Sequence, residues 1–316
     1  MSIRYAARTR PGTMVSTWLN GLVSGTVVLP TAAYFAGGYV SGANVATVDK
    51  FAFPDDSRST LGTGLSAANR LLAGAANSGT AGYFGGGKAA AIVATVDKFA
   101  FSDDSRSTLG TGLSSARWIL AAAANSGTAA YFAGGKTTVN VATVDKFAFS
   151  DDSRSTLGTG LSAARRYMAG LANSGTAAYF GGGVETGNVA TVDKFAFSDD
   201  SRTTLAAGLS TARTGAMGAA NSGTAGYFGG GSGPSTVVDK FAFSDDSRST
   251  LGTGLSSGRD AGGGCADSGV AGYFGGGSDL STVDKFAFPG DSRSTLGTGL
   301  SAANSYLTAA ADSGTL

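Results

Sequence analysis

The stretch Val192-Asp193-Lys194-Phe195-Ala196-Phe197 decides how this chain reads. The same six letters begin again at Val48, Val96, Val144, Val238 and Val283, so successive copies lie 48, 48, 48, 46 and 45 residues apart. Upstream of each copy stands a Tyr-Phe pair followed by small residues, as in Tyr179-Phe180-Gly181-Gly182-Gly183. All 18 Phe belong to these two motifs, which leaves none for the core of a separate domain. Strict self-similarity at this period also separates a chain with 51 Gly from a disordered, low-complexity one.

Working outward from the hexapeptide, apolar residues alternate or run briefly between Gly, Asn, Asp and Ser, the punctuation of strands rather than helices. Four strands fit each unit. In one copy they are expected at about 163–172, 177–180, 189–197 and 202–205. Asn173-Ser174-Gly175 suits the first turn, and Asp and Ser of Ser198-Asp199-Asp200-Ser201 suit the last. The two Phe of Phe-Ala-Phe should share a sheet face, with Ala on the other.

Six four-stranded units of 45–48 residues predict an all-β, six-bladed β-propeller. The chain ends suggest how it closes. The last copy stops at Asp312-Ser313-Gly314-Thr315-Leu316, where a second strand is due, and an orphan second strand stands at Thr31-Ala32-Ala33-Tyr34-Phe35. The expectation is one shared blade, with a C-terminal innermost strand joining three strands from residues 31–62 so that no edge stays open. The propeller then covers residues 31–316, and residues 1–30 stand apart from it.

Composition removes several chemistries. Without His, and with Cys265 as the one Cys among 316 residues, there is no imidazole base, no His-ligated metal and no thiolate zinc site. Cys265 reads as a small buried hydrophobe. A net charge of +1 gives no field that would announce a nucleic-acid partner. Gly-Gly-Gly before Lys88 lacks the spacing and helix of a phosphate-binding loop. Asp-Asp-Ser-Arg lacks the ligand spacing of a calcium loop, so a turn with a local Asp to Arg pair is the expected role. Six equivalent Asp pairs also argue against the two specialised carboxylates of a glycosidase. Neither enzyme activity, cofactor nor metal is expected.

The run Ser162-Ala163-Ala164-Arg165, then Tyr179-Phe180-Gly181-Gly182, then Phe195-Ala196-Phe197 resembles the kelch repeat, over about residues 31–316. Leu157 or Leu205 stands where kelch repeats carry a Trp. The resemblance implies four-stranded kelch-like blades and a structural role for Arg117, Arg165, Arg213 and Arg259, which match the kelch Arg. The arrays are also similar to repeats in structural proteins of tailed phages, cyanophages in particular. That likeness implies a virion appendage such as a tail or head fibre component, bearing on host attachment.

The six copies differ in two stretches. One follows the double Gly and includes Tyr39, Lys88, Lys136, Glu185 and Asp279; the other opens the innermost strand and includes Arg70, Trp118, Arg166, Tyr167, Asp260 and Tyr306. In an up-and-down blade both emerge on one side of the disc, and loops on a rigid scaffold commonly carry binding. These eleven residues are the candidate ligand site, with neutral drift in exposed loops as the alternative. Most Lys and Arg outside the constant framework fall in these stretches, Arg117, Arg165, Arg213 and Arg259 among them, so this side should be the more basic. An anionic glycan fits, with Trp118, Tyr167 and Tyr306 to stack on sugar rings.

Residues 1–30 hold Arg4, Arg8 and Arg10 and the apolar run Met14 to Val23, too short and polar to span a bilayer. They read as an attachment arm to other virion subunits, with a signal peptide or a plain disordered tail as alternatives. The composite expectation is a non-enzymatic virion protein contacting a host-surface glycan or receptor. It would be homo-oligomeric or part of a larger assembly, with no membrane insertion and no nucleic acid. A secreted or cell-surface matrix protein that self-assembles is the alternative.

Overall fold

The computed structural model describes residues 32–312. The expectations for residues 1–30 lie outside the described residues. Six four-stranded antiparallel sheets follow one another around an axis, and the four-strand expectation holds in every blade.

The closing blade, blade 1, runs outward as Thr308–Ala311, Ala32–Ala36, Val48–Ala52 and Arg58–Thr60. Its register sets Tyr34 opposite Ala310 and Phe35 opposite Asp49, so residues from both ends of the chain form one sheet, as the sequence suggested. Blades 2 to 6 follow in chain order, with innermost strands Ala73–Asn77, Ala121–Asn125, Ala169–Asn173, Met217–Asn221 and Gly263–Asp267. A two-residue hairpin, Tyr39–Val40 with Ala43–Asn44, is added on blade 1.

The innermost strand of blade 4 begins at Ala169, not near residue 163. Two features upstream stop it. Arg165 turns inward to a buried carboxylate, and Tyr167 takes a left-handed backbone with φ of 57°, which no strand accommodates. Blade 4's remaining strands, Ala177–Gly181, Val192–Ala196 and Arg202–Thr204, lie within the expected stretches to a residue or so, although the third is shorter.

Pleating sorts the core. Phe51 and Phe53 face the preceding blade, Phe53 meeting Tyr273 at 5.3 Å between ring centroids, while Tyr34 and Lys50 face the following one. The same Tyr to Phe contact recurs at all six joints, at 5.0–5.3 Å. Large meets small between blades: a Cβ added to Gly85 would lie 2.8 Å from the Phe132 ring of the next blade. The six Tyr rings are wholly or almost wholly buried, so aromatic area supplies the glue along every joint.

The polar parts of the repeat complete those joints. The second Asp of each Asp-Asp-Ser turn accepts a hydrogen bond from the Tyr hydroxyl and an ion pair from the Lys of the blade before it. Tyr131 Oη donates to Asp200 at 2.7 Å, and Lys146 Nζ lies 2.8 Å from it. The local Asp to Arg pair expected from sequence is therefore not what this turn makes. The first Asp instead caps the backbone N–H of Ser, as Asp151 does for Ser153 at 3.0 Å. In blade 6 that first position is Gly290, while Asp291 keeps the bonds to Tyr227 and Lys240. The dispensable carboxylate is the one that stays inside its own turn.

Candidate functional site

Both diversified stretches do emerge on one side, where they lie side by side. Arg70 bridges Lys88 through the backbone, Trp118 bridges Lys136, Arg166 bridges Val184, and Tyr39 bridges Ser305. In blades 5 and 6 the same neighbourhood is held by Ser232 N–H to the Thr214 carbonyl at 2.7 Å and Ser278 N–H to the Asp260 carbonyl at 3.1 Å.

At the axis the second residue of each stretch forms a closed ring of six backbone hydrogen bonds. Ile119 N–H donates to the Leu71 carbonyl, Tyr167 to Ile119, Gly215 to Tyr167, Ala261 to Gly215, Tyr306 to Ala261, and Leu71 to Tyr306, all at 2.7–3.0 Å. All six have positive φ, between 56° and 69°. Five are not Gly, and each holds a conformation that costs a non-glycine residue about 1–2 kcal/mol. A ring that satisfies one donor and one acceptor per blade offsets that strain. Sequence reading missed this ring, since a left-handed Leu, Ile, Ala or Tyr leaves no compositional trace.

The mouth opens into a cavity of about 90 Å³ lined by Leu71, Ile119, Tyr167, Gly215, Ala261 and Tyr306 and by the starts of the innermost strands. Small-molecule pockets usually run about 300–1,000 Å³. A ligand of that size cannot enter, and the usable surface is the rim. Below the rim the innermost strands crowd together, with Gly170 backed onto the Ala122 backbone.

On the rim the candidate residues make specific contacts. The Arg70 guanidinium lies over the Tyr39 ring at 4.3 Å, and Lys88 Nζ lies over Trp118 at 4.9 Å. Arg166 donates to Asn140 Oδ1 at 2.7 Å. Asn44 Nδ2 donates to the carbonyls of Lys88 and Ala89, and Asn140 Nδ2 to those of Val184 and Glu185. Asn44 and Asn140, and Asn188 with its bond to Ser232 Oγ, thus tie one loop to the next. They were not singled out, although an Asn before Val recurs at all three positions and could have been. Tyr167 and Tyr306 stand at the neck, and Lys136 and Glu185 lie half-buried in the outer tier. Asp260 lies beside Ser278, whose hydroxyl donates to it, and Asp279 is exposed. Burial pushes the Tyr167 phenol above its ordinary value of 10.0, Tyr306 adding to the rise and Arg166 opposing it.

The charge expectation needs a correction. Arg117, Arg165, Arg213 and Arg259 do not face solvent. Each pairs with the Asp of its own blade's Val-Asp-Lys, at 3.0, 2.9, 2.8 and 2.6 Å, with side chains at most 2% exposed. Burial lowers all four guanidinium pKa values, and the paired carboxylates oppose that shift. What reaches the rim is Arg70, Lys88, Lys136 and Arg166 on blades 2 to 4, against Glu185 on blade 4 and Asp260 and Asp279 on blade 6. The face is sided rather than uniformly basic. Cys265 is fully buried and burial raises its thiol pKa, in keeping with a packing role.

No protein-family model and no curated protein matches the chain. Among solved structures, one described as "Structure of YjhT" is similar with a TM-score of 0.63 at 15% identity, over 77% of this chain and 87% of that one. Such a likeness speaks to architecture, which many functions share. Sheet order, ring closure and this likeness agree: the chain forms a six-bladed β-propeller.

Proposed function

We propose that this protein is a non-catalytic display disc, a structural component of a virion appendage whose variable rim contacts an anionic glycan on a host surface. The observation that carries this reading is the separation of labour between copies. The joints repeat the same Tyr, Lys, Asp and Phe contacts, while diversity gathers on a rim holding aromatic rings and cations. Trp118, Tyr167 and Tyr306, all half-buried, would supply ring surface for sugars, and Arg70, Lys88, Lys136 and Arg166 would supply charge to sulfate or carboxylate groups. The cavity at the axis is too small to enclose a sugar, which favours contact at the rim. The kelch-like repeats and their likeness to repeat arrays of tailed-phage structural proteins favour a particle component. Residues 1–30 would attach the disc to neighbouring subunits.

Glycan-array binding tests the proposal. Wild-type protein should bind a subset of sulfated or carboxylated glycans, and Trp118→Ala, Tyr167→Ala and Arg166→Ala should each weaken that binding at least about tenfold, the scale of 1.4 kcal/mol, while the variants stay folded at the assay temperature. No binding across the array would leave a purely structural disc, as in a secreted matrix, as the better reading.

A further inference from the structure

Four blades bury an arginine against the Val-Asp-Lys carboxylate, and two do not. In blade 1 that position is Asn304, and in blade 2 it is Asn69. Blade 4 shows the occupied form. Arg165 Nη2 donates to Asp193 Oδ2 at 2.9 Å and to the Phe180 carbonyl at 3.1 Å, and Nη1 donates to the Thr191 carbonyl at 3.5 Å.

The corresponding groups in blade 1 belong to Asp49, Phe35 and Thr47. All three line a cavity of about 80 Å³, with Asn304, Ser301 and Val45 among its other walls. Asn304 is too short to reach across it and spends its amide elsewhere, donating to the Gly37 carbonyl at 2.9 Å and accepting from Tyr39 N–H at 2.8 Å. Asp49 keeps Ser301 N–H and Oγ on Oδ2, at 2.7 and 2.8 Å, and Arg58 lies 3.7 Å from its Oδ1, but among the described residues no cation sits on Oδ2 as it does in its counterparts. Asp49 is 5% exposed, whereas Asp145, Asp193, Asp239 and Asp284 are 0% exposed.

The homologous cavity in blade 2 is lined by Asp97, Phe84 and Thr95 but measures only about 20 Å³, room for about one water. There Asn69, only 8% exposed, leaves Oδ1 without a hydrogen-bond partner among the described residues. Size therefore separates the two, and blade 1 alone has space for a planar cation.

We infer that the blade 1 cavity is a binding site for a guanidinium group, with Asp49 as its counter-charge and the Phe35 and Thr47 carbonyls as acceptors. The ligand is either a free guanidino compound or an arginine side chain presented by a partner. A guanidinium fork matches a carboxylate flanked by carbonyls better than an ammonium does. The cavity borders the rim at Val40 and through the Tyr39 N–H bond to Asn304, but the inference does not depend on the glycan reading.

The test uses the full chain with methylguanidinium, methylammonium and N-acetyl-arginine methylamide, each followed by calorimetry and thermal unfolding at constant ionic strength. Methylguanidinium should bind saturably and raise Tm, and methylammonium should bind at least tenfold more weakly. Binding of the arginine derivative as well would assign the site to a partner's side chain; binding of methylguanidinium alone would assign it to a free compound. Asn304→Arg should fill the site and abolish the response. Should that variant fail to fold, Asp49→Asn keeps the shape, removes the charge and should weaken binding at least tenfold. Equal binding of the two cations, no saturable binding, or an undiminished response in Asp49→Asn would overturn the inference.

Discussion

The disc has two ends, and at each a series of bonds passes from blade to blade, closing into a full ring at the mouth. At the turn end the series is built from side chains: Asn77 Oδ1 accepts from Gly127 N–H at 2.8 Å, Asn125 from Gly175 at 2.9 Å, Asn173 from Gly223 at 2.8 Å and Asn221 from Gly269 at 3.0 Å. At the mouth the ring is built from backbone alone. A series that runs through side chains holds its residues fixed, and Asn-Ser-Gly or Asp-Ser-Gly accordingly recurs copy after copy. A ring that runs through peptide groups leaves side chains free, and the mouth accordingly carries Leu, Ile, Tyr, Gly, Ala and Tyr in one structural position. Variability at the rim thus has a mechanical basis before any ligand is considered.

The largest test of this contrast is Tyr167→Pro. It removes a ring donor and demands φ near −65° where 57° is observed, so it should cost about 3 kcal/mol or more in urea unfolding, whereas Tyr167→Ala, which keeps the peptide bond, should cost far less. Equal effects of the two would place the importance of this position in its side chain.

Alkaline titration probes the joints that both ends rely on. Burial first, then the hydrogen bond to the partner Asp, raises the pKa of Tyr34, Tyr83, Tyr131, Tyr179, Tyr227 and Tyr273 well above 10.0. Above that pH the unfolded chain loses phenolic protons that the folded chain keeps, so stability should fall as pH rises past about 10. Tyr131→Phe should flatten the slope of stability against pH there. A slope unchanged in that variant would contradict the assigned joint.

A smaller effect is expected from Asn125→Ala, which removes one turn-end acceptor and should cost about 0.5–1.5 kcal/mol by denaturant midpoint. Smallest of all, Lys136→Ala at the rim should stay within about 0.5 kcal/mol of wild type. Lys136→Ala proving more damaging than Asn125→Ala would invert the comparison.

Much of the architecture was legible because period and alternation are local signals. Spacing set the blade count, and the orphan strand at 31–35 foretold the shared blade. Contacts between copies were harder to read. Asp200 looks toward its neighbour Arg202 in the sequence, yet bonds Tyr131 and Lys146 one blade away, a partnership no window within one repeat displays. The innermost strand was drawn too long because neither the inward turn of Arg165 nor the left-handed backbone at Tyr167 has a residue-type signature. For the rim, the grouping of Arg70 with Lys88 and of Trp118 with Lys136 followed from topology, whereas the stacking of Arg70 on Tyr39 needed coordinates.

The sameness of the six Tyr-Lys-Asp joints has one more implication. Since every blade offers its successor the same socket and its predecessor the same plug, cassettes are interchangeable parts. Exchanging whole cassettes would therefore reorder the rim loops into new surface mosaics while keeping the six joints of the wheel that carries them.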